Sequence, residues 1–306
     1  MNASEGVRWM VMGLALLAAG LSGPVGAEAP ADPWAVTIES AALHQWDSAV
    51  DGGGDLSIDA WAVRAGLTYT AGQDLRAGVA AGYGERRYDF SGGGDFAGLD
   101  PWADVRDVRL SGSLNWRADE RWNLFVTPTL RWNAERGASW DDGLTGGVLA
   151  AASYRFNDRL SIGPGFGVFS ELDDGADWFP ILAIDWEITD TLSLRTGGGF
   201  ASSRGPGLTL NWKPSERWSF ALGGRYEKFR FRLDDTGLAP GGVGEETSIP
   251  LYLGATRSFG RNLRFSIFAG AELGGELRLQ DKDGHVIERA NYDTAPFGGA
   301  ALDLRF

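Results

Sequence analysis

The stretch N-W-R-A-D-E-R-W-N at 115–123 returns as N-W-K-P-S-E-R-W-S at 211–219. In each copy two tryptophans flank a short polar turn, and apolar and polar residues then alternate. Period two places alternate side chains on opposite faces of a strand. Tryptophans beside a turn are typical of a membrane-interface belt. The pattern predicts a membrane β-barrel whose apolar side chains face lipid and whose polar side chains face the lumen.

The only long apolar run lies at 9–21 and follows Arg8. Small residues up to Ala27 come after it. A charged start, a short apolar core and a small-x-small ending predict a secretory signal peptide cleaved after Ala27. About 13 apolar residues are too few for the roughly 20 that a spanning helix needs. We therefore expect 1–27 to be a signal peptide and 28–306 to form a single outer-membrane barrel.

The composition fits a barrel that hides its apolar face by alternation. The chain has 306 residues, a net charge of −13, 45 glycines and no cysteine. Its mean hydropathy of −0.17 looks soluble, but alternation averages away a lipid face. Glycine is about twice the usual share of roughly 7%, and glycine tolerates close strand approach in a crowded lumen. The absence of cysteine excludes a disulfide scaffold, a thiolate metal site and a lipid-anchored N-terminal cysteine.

Tight turns and long acidic connections alternate along the mature chain. The turns are 71–74, 117–121, 157–159, 189–191, 213–217 and 260–262, and the connections are 47–55, 91–101, 136–144, 172–176, 203–206, 233–246 and 280–286. They delimit fourteen strands, at 34–46, 56–70, 75–90, 102–117, 121–135, 145–156, 159–171, 177–188, 191–202, 207–213, 217–232, 247–259, 262–279 and 287–306.

The fold prediction is all-β: a single transmembrane, antiparallel, up-and-down barrel with short periplasmic turns and longer acidic extracellular loops. Twelve strands is the alternative, because the strand at 207–213 is short. A phase slip at Lys228-Phe229 predicts a bulge. Glu245 and Glu246 are assigned to an acidic loop.

The last eleven residues, 296–306, place apolar side chains at every second position and end on phenylalanine. This segment resembles the terminal β-signal of Gram-negative outer-membrane proteins. The mature chain resembles the broad class of bacterial outer-membrane β-barrels, and 292–297 is similar to uncharacterised outer-membrane barrel families of unknown function. The resemblance implies location in the bacterial outer membrane and insertion by the barrel-assembly machinery with periplasmic chaperones. It implies assembly-signal residues Leu302, Leu304 and Phe306.

Strand parity assigns the remaining candidate residues to two groups. The predicted lumen-lining residues are Glu39, Arg64, Arg109, Arg131, Arg155, Asp185, Glu187, Arg195, Arg225, Glu227, Arg264 and Glu272. The predicted aromatic girdle is Trp116, Trp122, Trp186, Trp212, Trp218 and Phe259. Arginines opposite carboxylates either line a wet channel or close a filled interior with salt bridges. Fourteen strands lies between small side-chain-filled barrels and the 16–18 strands that leave an aqueous channel.

Catalytic and cofactor chemistry finds little support in the sequence. A barrel hydrolase needs a histidine beside a serine or carboxylate, and the only histidines are His44 and His285. His44 has lipid-facing parity, and His285 follows the stretch D-K-D-G at 281–284. No hydrolase, zinc-protease or nucleotide-binding motif occurs. We expect no enzyme activity and no cofactor. D-K-D-G resembles the start of a calcium loop but lacks the later ligands, so metal binding is left open.

The acidic long loops favour either simple solvation or a mouth that repels anions and gathers cations. The leading functional prediction is a passive, porin-like channel for small solutes with a preference for cations. The alternative is a non-conducting structural or surface-binding barrel with an occluded lumen. We expect outer-membrane lipid and lipopolysaccharide as neighbours, no nucleic-acid partner because basic patches are absent, and a monomer in preference to an oligomer.

Overall fold

A computed structural model describes residues 32–139, 141–172, 175–197 and 207–306. The predicted signal peptide and the second half of the predicted strand 191–202 lie outside these residues. The first eight strands are β1 (Trp34–Ala49), β2 (Asp55–Ala71), β3 (Leu75–Ser91), β4 (Asp104–Arg117), β5 (Trp122–Glu135), β6 (Leu144–Asn157), β7 (Leu160–Ser170) and β8 (Ala176–Glu187). The remaining strands are β9 (Leu192–Thr196), β10 (Gly207–Trp212), β11 (Trp218–Arg225), β12 (Glu227–Arg232), β13 (Val243–Phe259), β14 (Leu263–Gln280), β15 (Val286–Tyr292) and β16 (Ala295–Arg305).

Sequential antiparallel pairing closes these strands into a barrel. β11 and β12 pair with the same strand, β13, and β15 and β16 pair with the same strand, β14. Each of these two pairs of segments therefore counts once in the wall. β1 pairs with both β2 and β16, which closes the ring. The described residues form a closed wall of fourteen strands. This confirms the predicted fold and strand count, and the twelve-strand alternative is wrong.

The outer surface carries the apolar half of the alternating pattern. Trp34, Val36 and Ile38 of β1 are exposed on it, and so are Leu110 and Leu114 of β4. The exposed aromatic side chains beside the short turns include all six residues of the predicted girdle: Trp116, Trp122, Trp186, Trp212, Trp218 and Phe259. Monomeric soluble proteins rarely expose so large an apolar surface, whereas membrane barrels present one to lipid. No α-helix of the described residues has the length and apolar character to cross a bilayer.

Many glycines pack directly against aromatic rings that point into the barrel. In seven directly paired cross-strand positions an inward aromatic ring lies over a glycine, so that a Cβ on the glycine would meet the ring at 2.7 Å or less. The pairs are Phe169–Gly147, Phe179–Gly167, Tyr252–Gly223, Phe231–Gly244, Tyr292–Gly275, Phe268–Gly299 and Phe297–Gly270. Rings shield the weak spot that glycine creates in a strand. The high glycine content therefore also serves interior packing, beyond the turns.

Four neighbouring segments bend at one level in the outer half of the barrel. β11 ends and β12 begins around Tyr226, and the pairing of β13 with β14 shifts between Thr247 and Ile249. Gly274 of β14 has a φ of +60°. The break between β15 and β16 falls at 293–294. We call this level the hinge line, and the segments beyond it, 227–232, 243–248, 275–280 and 286–292, the flap.

The flap crosses the lumen to the opposite wall. Arg232 at the end of β12 pairs in parallel with Ala134 of β5. The Asn133 side-chain amide donates to the Arg230 carbonyl at 3.1 Å, and the Asp234 N–H donates to Glu135 at 3.1 Å. Strands β6 to β10 lie outside this crossing. The outer half of the barrel is therefore closed by its own wall.

The predicted bulge at Lys228-Phe229 is wrong. β11 and β12 keep one register against β13, with Gly224 opposite Leu251 and Glu227 opposite Ser248. Because the alternation continues, Phe229 falls on the same face as Glu227. The apolar residue looked out of phase in the sequence because the inward face changes from polar to apolar at the hinge line.

Candidate functional site

The periplasmic half of the lumen holds a polar cavity of about 300 Å³. It is bounded by the inward side chains of β1 to β4 and by the turn between β13 and β14. Its polar lining includes Thr37, Glu39, Arg64, Thr68, Arg76, Ser111, Ser113, Arg261 and Arg305. Arginine and hydroxyl groups predominate, and Asp32 also lines the cavity. The cavity can bind water and small polar solutes by hydrogen bonds.

The structure brings several predicted lumen residues together in pairs. Arg64 lies 3.4 Å from Glu39 and 3.4 Å from the Ser111 hydroxyl. Arg225 donates to Glu227 at 2.6 Å. These pairs face the interior, because each residue shares the face opposite to the exposed apolar side chains. They neutralise charge inside the barrel, where isolated charges would be costly.

The other predicted lumen residues lie at different heights. Arg109 is buried beside Asp107 at 3.7 Å, and Arg131 lies over the Phe169 ring at 5.2 Å. At the periplasmic ends of the strands, Arg195 contacts Asp185 at 2.8 Å and Glu187 at 4.0 Å, Arg264 contacts Asp303 at 3.7 Å, and Arg155 lines an open groove of about 540 Å³. These residues lie at the periplasmic rim, whereas Arg109 and Arg131 lie further along their strands, so the predicted set is no single site.

A buried ionic layer lies at the hinge line. Arg86 contacts Glu246 at 2.8 Å and Glu227 at 3.6 Å. The Tyr88 hydroxyl donates to Glu246 at 2.7 Å, and the Tyr292 hydroxyl donates to Glu272 at 2.9 Å. All three carboxylates are buried. Buried charges persist when they are paired and hydrogen-bonded, so this layer fixes the flap to β3.

An apolar core fills the space beyond the ionic layer. Phe231 of the flap is fully buried, and its ring centroid lies 5.3 Å from that of Trp102 and 5.9 Å from that of Tyr88. The core also contains Val50, Leu56, Ile58, Phe96, Ala97, Val105, Phe229, Leu233, Ala239, Leu277, Leu279, Ala290, Tyr292 and Ala295. Such a core excludes water. The outer end of this part of the lumen is closed in the conformation described.

The other face of the flap is cationic. Lys228 lies 3.7 Å from Glu171, 3.9 Å from Asp177 and 3.6 Å from Glu245. Arg230 contacts both Glu171 and Glu245. Glutamate and aspartate at the outer ends of β7 and β8 therefore hold the flap from its second side.

Arg232 joins three loops at the tip of the flap. Its guanidinium donates to the carbonyls of Asp142 at 3.1 Å, Gly241 at 2.9 Å and Leu172 at 2.6 Å. The loops β5–β6, β12–β13 and β7–β8 are thus tied at one point. A guanidinium suits this role because it offers several donors in a rigid plane.

Most residues of the flap site were not predicted from the sequence. Arg86, Tyr88, Lys228, Arg230 and Arg232 were not among the candidates, although inward parity along β3 marks Arg86. Glu245 and Glu246 were assigned to an extracellular loop. That assignment is wrong, because both lie in β13 and are buried. Acidic residues beside a glycine-rich segment look like loop residues until their ionic partners are known.

The two histidines lie away from the lumen pairs. His44 Nδ1 is 2.8 Å from Asp59 on the outer wall. In the β14–β15 loop, Asp281, Asp283 and His285 bring potential ligand atoms within 4.8 Å of one another. Backbone N–H groups of Asp283 and His285 donate to Asp281, and they hold the pKa of Asp281 below its ordinary value, with the His285 N–H the largest cause. This loop is organised by hydrogen bonds of its own.

The predicted assembly-signal residues lie at the barrel seam. Leu302 pairs with Ser40 and Leu304 with Ile38 across the contact of β16 with β1. Phe306 follows the strand and is exposed. The placement leaves recognition by the assembly machinery as a prediction.

Comparison with known proteins adds evidence on the fold. No protein-family model matches the sequence, and no curated protein is significantly similar. The chain resembles a solved outer-membrane channel of Pseudomonas putida F1, with 12% identity, 90% of this chain and 99% of that chain covered, and a TM-score of 0.51. It also matches the P. putida toluene transporter TodX at 10% identity over 93% of each chain, with a TM-score of 0.47. A Pseudomonas aeruginosa FadL homologue matches at 14% identity over 89% of each chain, with a TM-score of 0.44.

At these identities the likeness concerns the fold. A closed antiparallel wall, an apolar outer surface and aromatic residues at the strand ends are the features of barrels that span the bacterial outer membrane. The protein is therefore a bacterial outer-membrane β-barrel.

Proposed function

We propose that the protein is a gated outer-membrane channel for small solutes, with the flap as its gate. The observation that carries the proposal is the nature of the outer closure. Wall strands are joined by long antiparallel ladders, whereas in the described residues β12 meets β5 at the single pair Arg232–Ala134. The remaining closure consists of side-chain packing, ion pairs and hydrogen bonds that each involve a side chain. Such contacts can separate without unfolding the wall.

The polar periplasmic cavity supports entry from that side. The solved P. putida F1 structure with a similar fold is called an outer-membrane channel, which agrees with a transport role. Both histidines pair with aspartates on the outer wall or in a loop, so we also propose that the protein is not an enzyme.

We also propose that the channel prefers cations. Support for this preference comes from exposed loop acids such as Asp51, Asp95 and Asp141. The periplasmic cavity contributes no such preference, because four arginines line it with one aspartate and one glutamate. The reversal potential in a potassium chloride gradient tests the sign directly. A shift toward the chloride potential would reject cation preference and leave the channel intact.

A reversible lock tests the gate. The chain has no cysteine, so Ala134→Cys with Arg232→Cys introduces one pair at the place where β12 meets β5. In planar bilayers we expect the oxidised double variant to be silent and the reduced protein to show conductance steps. The single variant Arg232→Cys controls for loss of the guanidinium. Equal conductance of the oxidised and the reduced double variant would reject the flap as the gate.

The second candidate is a non-conducting barrel with a structural or surface-binding role. The fully buried core beyond the ionic layer favours it. Absence of conductance in the reduced double variant, together with no swelling of liposomes in small sugars, would decide for this candidate.

A further inference from the structure

A row of polar and charged side chains crosses strands β1 to β4 on the outside of the barrel and ends at Arg136, directly after β5. His44 of β1 pairs with Asp59 of β2, Asp59 with Arg87 of β3, and Arg87 with Asp104 of β4. The Arg136 N–H then donates to the Asp104 carbonyl. We call these five residues the outer charged row. His44, Asp59, Arg87 and Asp104 each share the face of exposed apolar residues on their strands, and Arg136 after β5 is exposed, so the row lies on the lipid-facing side and not in the lumen.

The height of the row places it at the level of lipid head groups. From Trp116 beside the periplasmic turn to Asp104, β4 rises about 40 Å at roughly 3.3 Å per residue. At the tilt of about 35–45° usual for such barrels, this is about 30 Å along the membrane normal, against an apolar band of about 25 Å. Trp61 and Tyr83 lie just below the row with ring centroids 5.6 Å apart. Aromatic residues of this kind mark the membrane interface.

The arginines of the row remain available to an anion. Arg87 lies 3.1 Å from Asp104, and Arg136 lies 3.5 Å from Glu85. The side chains of Arg87 and Arg136 are nevertheless 69% and 58% exposed. Exposed ion pairs contribute only about 0–1 kcal/mol, so a phosphate can compete for the guanidinium groups. Asp59 is 68% exposed and offers a carboxylate to a divalent cation.

We propose that the outer charged row binds the phosphorylated head group of lipid A in the outer leaflet. Arg87 and Arg136 bind phosphate oxygens through charge-assisted hydrogen bonds. Asp59 and Asp104 bind divalent cations that bridge to the same phosphates. From Asp59 to Arg136 the signs along the row alternate, which matches an alternating arrangement of phosphates and cations. This inference rests on the membrane orientation of the barrel and is independent of channel activity.

Native mass spectrometry of the purified full chain in detergent tests the proposal. The probes are bis-phosphorylated lipid A and its dephosphorylated form, each with Mg²⁺ and with a chelator. We expect Arg87→Gln/Arg136→Gln to bind the phosphorylated lipid at least about tenfold more weakly, since two charge-assisted contacts are lost. The matched control is Arg121→Gln/Arg159→Gln, which changes two exposed arginines beside periplasmic turns and should bind like the parent.

Three outcomes would overturn the proposal. The first is equal binding of phosphorylated lipid A by the parent and Arg87→Gln/Arg136→Gln. The second is equal binding of both lipids by the parent, which would indicate an unspecific apolar annulus. The third is lipid-independent cross-linking of two copies through this face. Heat-modifiable gel mobility verifies that each variant is folded.

Discussion

Phe231→Ala tests whether the apolar contact between the flap and the opposite wall holds the channel closed. The Phe231 ring is fully buried and packs against both its own flap and the wall. Its flap partners are Gly244 and Phe229. Its partners on the wall side are Tyr88 of β3 and Trp102 of the connection between β3 and β4. Only the wall contacts are lost when the flap moves away, so only these bias the gate.

The magnitude follows from this division. Truncation of a buried phenylalanine to alanine costs about 3–5 kcal/mol. About half of the contacts connect flap and wall, so the closed conformation should lose about 2 kcal/mol relative to the open one. At about 1.4 kcal/mol per factor of ten, the ratio of open to closed channels rises about 30-fold. The open probability of single channels in planar bilayers measures this ratio.

Phe268→Ala is the matched control. Phe268 is also a buried, inward phenylalanine, but it packs on Gly299 within the wall below the hinge line. Its truncation should lower stability without changing open probability. If Phe231→Ala folds and leaves open probability unchanged, or if Phe268→Ala raises it equally, the assignment of the flap as the gate is refuted.

Two further predictions concern the wall and its turns. Gly147→Ala places a Cβ about 2.0 Å from Cδ1 of Phe169 and should lower the free energy of unfolding by about 1–3 kcal/mol through overpacking. Urea unfolding measures this loss. The control Gly93→Ala, whose Cβ meets nothing within 4 Å, should leave the free energy of unfolding unchanged. Asp119 accepts the N–H groups of Arg121 and Trp122, each at 2.7 Å, and the Arg121 N–H is the larger cause of its lowered pKa. A lowered folded pKa gives stability that is present above the unfolded value of about 3.9 and is lost as pH falls through the folded pKa. Amide hydrogen exchange should therefore show that both N–H groups are protected at pH 5 and that this protection declines only below pH about 3.9. Asp119→Ala should lose the protection at every pH. Equal protection in Asp119→Ala and the parent would contradict this.

The wall of the barrel was readable from the sequence because its signals are local. The repeated phrase at 115–123 and 211–219 marks two turns that the structure contains, and in both a side chain holds the turn. Asp119 does so in the first copy, and the Ser215 hydroxyl accepts the Trp218 N–H at 3.2 Å in the second. Period two and turn chemistry depend only on near neighbours, so strand number and lipid face were predictable.

The flap could not be read in this way because it depends on distant contacts. At Gly274 in β14, and at 293–294 between β15 and β16, the inward face of the strand changes from one set of alternate residues to the other. Leu277 and Leu279 are therefore buried, although the alternation up to Leu273 would place them on the outer face. Phe229 looked like a break in the pattern because its partner Arg86 lies far away in the chain, with its guanidinium 5.0 Å from the ring centroid. The buried Glu246 gave no signal that distinguished it from a solvated acid.

The parallel contact between β12 and β5 gives the molecule two circumferences. The periplasmic ring has fourteen strands. The outer ring has nine, which are β12 to β15 followed by β1 to β5. An odd number of alternating strands cannot close with antiparallel pairs alone, so one seam must be parallel, as the Arg232–Ala134 pair is. Rings of about eight strands are just wide enough for side chains to fill. Parting that seam would widen the bore from nine strands to fourteen while every antiparallel ladder stays intact.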